Sequence, residues 1–229
     1  MSTGDSPTHP RCLCTWVGYI FSDHSILLWT GVRKLRRILN MLGCEVNSKI
    51  LLGGVNTMFI LKHMKPEEAT GKVADAYAVF PKEIPVPDPL VLMSVSPELT
   101  ELQSGIIRHY MTHEKLDMGL LAMIRYLVAS EEGYKFCVNM NTGLLKMAGG
   151  MTDEELKALK ENPENAPLEE FQKALLLFVL KVVKTPEEVT ENDVESLRQL
   201  GWSDKDIFEA AFHGTSMIGA SKLYKAFVK

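Results

Sequence analysis

The run LLAMIRYLVASEEGYKFCVNMNTGLLKMAGG, Leu120 to Gly150, decides the fold. Its first half carries Leu120, Leu121, Ile124, Leu127 and Val128 at helical offsets, the pattern of a buried helix. Asp117 stands ahead of it as the expected N-cap. Gly133 opens a second helix, and Gly149-Gly150 ends it, because a left-handed C-terminal cap suits a residue without Cβ.

Outward from this stretch, the punctuation from Met58 on is that of an all-α chain. Pro66-Glu67-Glu68 predicts a helix start with proline and acids in the first turn, running through Val73, Ala76, Tyr77 and Phe80. Pro81, Pro85, Pro87 and Pro89 predict an extended loop. Ser96-Pro97-Glu98 caps a helix that should reach about Thr112. Thr152 and Glu155 form a capping box. Asn162 to Pro167 reads as a polar loop, and Leu168 to Val183 as a long apolar helix. Thr190 starts a short helix that stops at Gly201, and Ser203 caps the last. No strand pattern and no fixed-period repeat is visible, so the expected architecture is a bundle of roughly seven to nine helices.

Composition narrows the function classes. The chain has 229 residues, 46% hydrophobic and 24% charged, with a net charge of -4. That balance fits a globular protein and excludes wholesale disorder. A pI of about 5.9 without a long basic run argues against a dedicated nucleic-acid binder. Four cysteines, unevenly placed, imply no disulfide scaffold and suggest a reducing, cytoplasmic compartment. No apolar run approaches the ~20 residues of a membrane span.

Residues 1–57 differ from the remainder. They hold Cys12, Cys14, Cys44, Trp16 and Trp29 and show no clear helical period. Six of the 25 Lys and Arg and three of the 29 Asp and Glu fall there, leaving 19 basic and 26 acidic residues, a net charge of -7, from Met58 on. Gly53-Gly54 precedes Met58 by four codons, and GGA-GGT would supply a purine-rich ribosome-binding sequence in a bacterial gene. The expectation is an N-terminal extension over 1–57, poorly ordered or partly a misassigned start, and a helical domain over 58–229.

The stretch Leu120–Gly150 resembles the core of the AhpD-like / carboxymuconolactone decarboxylase superfamily. Arg125, Val128, Ala129, Gly133 and Thr142 fit its pattern of two helices, the second opening Cys-x-x-Cys-x-x-x-His. Met58-Phe59-Ile60 with Pro66–Tyr77, and VTENDVESLRQLGWSDKDIF at 189–208, are similar to its peroxidase-related branch. The resemblance covers nearly all of Met58–Lys229 and implies an all-α, AhpD-like, homo-oligomeric bundle. It also implies a thiol peroxidase chemistry in which two cysteines cycle while a glutamate and a histidine move protons. Here the second cysteine is Cys137, but the first falls on Tyr134, the histidine on Asn141 and the glutamate on Ala122.

Read on their own chemistry, these residues leave alternatives. Cys137 lies at a helix start, where the dipole, aided by Lys135, favours a reactive thiolate; a free cysteine is also an ordinary core residue. Tyr134 can donate a hydrogen bond into the same pocket or simply fill the volume of the missing cysteine. Asn141, four residues on, can orient a substrate but cannot carry a proton as histidine does. His213, in an apolar part of the last helix, can approach Cys137 or serve as a bonded core histidine. His109 and His113, at i and i+4, read as a solvated or paired face rather than a metal site, and no cofactor is implied.

Three functions compete. The first is a single-cysteine peroxidase-like oxidoreductase that needs an external thiol reductant. The second is an acid/base decarboxylase on a small carboxylated ring compound. The third is a non-catalytic oligomer with a degenerate site. The expected partners are copies of the chain itself and a small peroxide or carboxylated substrate.

Overall fold

The computed structural model describes residues 57–81 and 84–229. The expectations for residues 1–56, including the start site and Cys12, Cys14 and Cys44, lie outside the described residues. Among those described, nine α-helices form the chain: α1 Gly71–Tyr77, α2 Asp88–Met93, α3 Pro97–Met111, α4 Met118–Glu131, α5 Lys135–Gly149, α6 Asp153–Glu161, α7 Glu170–Lys184, α8 Glu191–Gln199 and α9 Asp204–Phe227. The all-α expectation is met at the upper end of its range. The one strand-like feature described is an isolated bridge between Phe59 and Val228, where Lys229 N–H donates to the Met58 carbonyl at 2.9 Å.

The capping chemistry read from the sequence is in place. Ser96, Asp117, Thr152, Thr190 and Ser203 each accept from a backbone N–H of the following turn, and the last three complete capping boxes with Glu155, Asp193 and Asp206.

Two local expectations are corrected. Pro66–Glu68 forms only a 3-10 turn, not the start of a helix to Phe80. Thr70 is extended, and Gly71 takes a positive φ of 54°, so α1 starts afresh there. In the proline-rich loop, Pro87 caps α2 and Pro89 sits in its first turn. The first turn of a helix has no use for the missing proline N–H, so these prolines start a helix as well as end a loop.

α4 is the hub, packing against α5, α7 and α9. Nine of its residues are buried, on every face, as expected of a helix that is apolar nearly all round. Within Leu120–Ala129 the single charged residue is Arg125. The core has two parts. One joins α4, α7 and α9 with Leu156, Leu159 and Trp202. The other gathers Phe59, Val73, Tyr77, Leu90, Ala129, Tyr134, Cys137 and Tyr224. The small residues of α9 serve it unequally: Gly214 fits against Val179 of α7 and Ile124 of α4, whereas Gly219 faces open space.

Candidate active site

The link between α4 and α5 sets the site. Gly133 takes a φ of 63°, a turn a residue with Cβ resists, and Tyr134 N–H returns to the Ala129 carbonyl at 2.8 Å. That turn makes Tyr134 the N-cap residue of α5 and places Cys137 third in the helix, in its first turn. Both side chains are buried, at 2% and 3% exposure.

Asn141, one turn further and fully buried, faces Cys137. Its Nδ2 donates to the Cys137 carbonyl at 2.8 Å and to Cys137 Sγ at 3.2 Å. Its Oδ1 accepts from Arg125 Nε at 2.8 Å. Arg125 Nη1 lies 3.1 Å from His213 Nε2. A guanidinium only donates, so His213 Nε2 accepts, and the ring's proton is on Nδ1, toward the Leu121 carbonyl. The His213 ring rests on Tyr110 at 4.5 Å. Cys137, Asn141, Arg125 and His213 thus form one bonded series across α5, α4 and α9.

His213 therefore does not bond Cys137 directly; Arg125 and Asn141 stand between them. Arg125 matches the family pattern, yet nothing in its local sequence assigns it a role. The signal available was an arginine inside an otherwise apolar helix, since such a charge must find partners. Its described partners are all neutral: Asn141, His213 and, at 3.7 Å, Met118 Sδ.

The electrostatics follow from burial. Burial pushes the Cys137 thiol up to about 11, while Arg125 and the Asn141 hydrogen bond pull the other way. Lys135 is exposed, so Arg125 is the cation that acts on the thiol, a correction to the sequence reading. Burial, reinforced by Arg125, holds His213 down to about 3, so its ring is neutral. Burial first, then Cys137, Tyr224 and Asp88, raises the Tyr134 phenol well above its usual value, so it remains protonated.

The His109–His113 pair meets Glu209 of α9. His109 Nε2 lies 3.0 Å from Oε1, and His113 Nε2 lies 2.8 Å from Oε2. These three residues are arranged closely enough for a cation. However, His113 Nδ1 accepts from the N–H groups of Lys115 and Leu116 at 3.1 and 3.0 Å. That leaves the ring's proton on Nε2, where a metal would need the lone pair. The set pairs His109 of α3, and His113 just beyond it, with Glu209 of α9. A cleft on either side of it is lined by other residues than Cys137, Tyr134 and Asn141.

Neither a family model nor a curated protein matches the sequence. Solved structures do match the fold. An uncharacterized peroxidase-related protein from Silicibacter sp. TM1040 is similar at a TM-score of 0.59 and 20% identity, over 68% of this chain and 82% of that one. A protein described as alkylhydroperoxidase AhpD core, an uncharacterized peroxidase-related protein from Ralstonia eutropha JMP134, is similar at a TM-score of 0.63 and 19% identity, over 76% of this chain and 92% of that one. The chain has the AhpD-like fold of these peroxidase-related proteins.

Proposed function

We propose that this chain is a peroxidase-related protein of the AhpD-like / carboxymuconolactone decarboxylase superfamily that uses Cys137 as a lone redox thiol. The observation that carries this reading is the Asn141 amide donating to Cys137 Sγ, with Arg125 fixing that amide from behind. A donor and a cation at a sulfur stabilise its thiolate, the form that attacks peroxide. The Cys137 sulfur takes one oxygen to become a sulfenic acid while the peroxide O–O bond breaks and an alcohol or water leaves. An external thiol then condenses with the sulfenic acid, releasing water, and a second one attacks that mixed disulfide, releasing Cys137 as the thiol and the two reductant molecules joined as a disulfide.

The assembly proposed for it is a homo-oligomer. Leu99, Leu102 and Ile106 of α3 and Phe208 and Phe212 of α9 form an exposed apolar face, larger than a scattered surface residue requires. A second copy of the chain, in the cytoplasm, is the proposed cover.

Burial of Cys137 and its raised pKa favour a second reading, a non-catalytic oligomer that keeps a degenerate site. The decarboxylase reading has less support, because a His213 ring held near 3 is a poor proton carrier at neutral pH. The test is trapping of Cys137 sulfenic acid, with turnover of peroxide in the presence of an added thiol. Activity lost in Cys137→Ser supports the redox reading. No trapped sulfenic acid and no turnover from pH 7 to pH 10 leaves the non-catalytic oligomer.

A further inference from the structure

The hydroxyl of Tyr134 is buried and, among the described residues, has no hydrogen-bond partner. A phenol packed at 2% exposure with an unused O–H carries a desolvation cost that native structures normally offset with a water or a ligand. Its surroundings tell what the ligand is. Tyr134 shares a core group with Cys137 and Tyr224. The Tyr134 and Tyr224 rings lie 5.2 Å apart. The Tyr224 hydroxyl is already committed, donating to Asp88 Oδ2 at 3.4 Å. The free donor in this core group is therefore the Tyr134 hydroxyl, on the residue one turn before Cys137. The sulfur itself accepts from Asn141, which Arg125 holds in turn.

Resting on the redox reading of Cys137, we propose that Tyr134 is a catalytic residue that hydrogen-bonds the departing oxygen of a very small peroxide, hydrogen peroxide itself, at Cys137. The size limit follows from the packing. Cys137, Tyr134 and Asn141 are all buried, and the two clefts beside Glu209 are lined by other side chains. Packing this close admits at most a molecule of about that size, and not a bulky organic hydroperoxide. In the step, the S–O bond forms as the O–O bond breaks. Tyr134 passes its proton to the departing oxygen and takes the thiol proton in its place. Sulfur loses two electrons, the peroxide is reduced, and the products are Cys137 sulfenic acid and one water. Phenol is a poor base by itself near neutrality, but here it only relays a proton that the sulfur gives up.

The experiment compares two reactions of Cys137 in the full chain: oxidation by hydrogen peroxide, and alkylation by iodomethane, also of two heavy atoms, whose iodide leaves without a proton. Tyr134→Phe is expected to slow oxidation about a hundredfold, the scale of a general acid, and to leave alkylation within about twofold. Tyr224→Phe, which keeps the ring and removes a hydroxyl bound elsewhere, leaves the ratio of the two rates unchanged. tert-Butyl hydroperoxide reacts at least about tenfold more slowly than hydrogen peroxide in the wild type. Equal slowing of both reactions in Tyr134→Phe, or no slowing of either, overturns the role of Tyr134 while leaving Cys137 a redox thiol. Wild-type Cys137 that is alkylated but never oxidised overturns the redox reading and this inference with it.

Discussion

At Gly214 the backbone of α9 approaches the Val179 side chain of α7, and adding one methyl group there tests the packing that holds His213 in place. A Cβ on Gly214 would lie 2.4 Å from Val179 Cγ1 and 3.5 Å from Ile124 Cγ2 and Val183 Cγ2. The first of these is far inside van der Waals contact. Val179 is fully buried and, as a β-branched residue in a helix, has essentially one rotamer to use. The helix must move, at the ~1–3 kcal/mol typical of an overpacked core. Alanine returns about 1 kcal/mol of helix propensity over glycine. The net expectation for Gly214→Ala is a loss of ~0–2 kcal/mol. Gly219 is the internal control: it lies on the same helix with nothing within 4 Å, so Gly219→Ala keeps the propensity gain alone. Equilibrium urea unfolding of the full chain measures both, with a shift in midpoint at constant slope. By heat, the two variants should separate by several degrees, at about 2–4 °C per kcal/mol for a chain of this size. Val179→Ala, which removes the offending methyl groups, should make Gly214→Ala far less harmful when the two are combined. A Gly214→Ala protein as stable as Gly219→Ala would refute the close approach of α9 to α7.

Two further outcomes concern charge. His213 has a folded pKa of about 3 against 6.5 when free, so the unfolded chain takes up its proton first. The stability it contributes is complete above about pH 6.5 and is lost as pH falls toward 3. His213→Gln should flatten the decline between pH 6.5 and 5, above the range of ordinary carboxylates; an unchanged slope there contradicts the neutral ring. Arg125→Met removes the cation that opposes burial at Cys137, so the thiol should titrate above the wild type's value of about 11, and iodomethane alkylation at pH 9 should slow by about tenfold for each unit gained. Alkylation as fast as in the wild type would show that Arg125 does not act on the sulfur.

The fold was legible because its punctuation is local. Ser96, Asp117, Thr152, Thr190 and Ser203 bond within their own turns, so each helix start is written in four consecutive residues. Where the reading missed, a backbone angle decided: Gly71 adopts a positive φ and restarts α1, and Pro87 and Pro89 begin α2. The site was half legible for the same reason. Tyr134, Cys137 and Asn141 lie one turn apart on one helix, so their grouping follows from 3.6-residue periodicity. Arg125, Glu209, Tyr224 and Asp88 enter from α4, α9 and α2, at separations no local pattern records. His213 was placed near the thiol by its apolar surroundings, but the group between them had to be seen.

The balance at Cys137 is between burial, which favours the neutral thiol, and Arg125, which favours the thiolate; in the single chain burial prevails. Arg125 and His213 are only partly buried, and Phe212, beside His213, belongs to the exposed apolar face. A second copy that covered Arg125 along with α3 and α9 would remove water from around the guanidinium while leaving the already buried sulfur as it was. With less screening, the cation acts more strongly on the thiol, and its pKa falls. Assembly through this face is therefore expected to make Cys137 more reactive. Phe208→Glu, which puts a charge at a 70% exposed position that makes none of the site's hydrogen bonds, should give a smaller species by light scattering and raise the thiol's apparent pKa together. If that variant dissociates and its thiol titrates as before, the oligomer is a packing arrangement only and Arg125 acts on Cys137 at full strength within one chain.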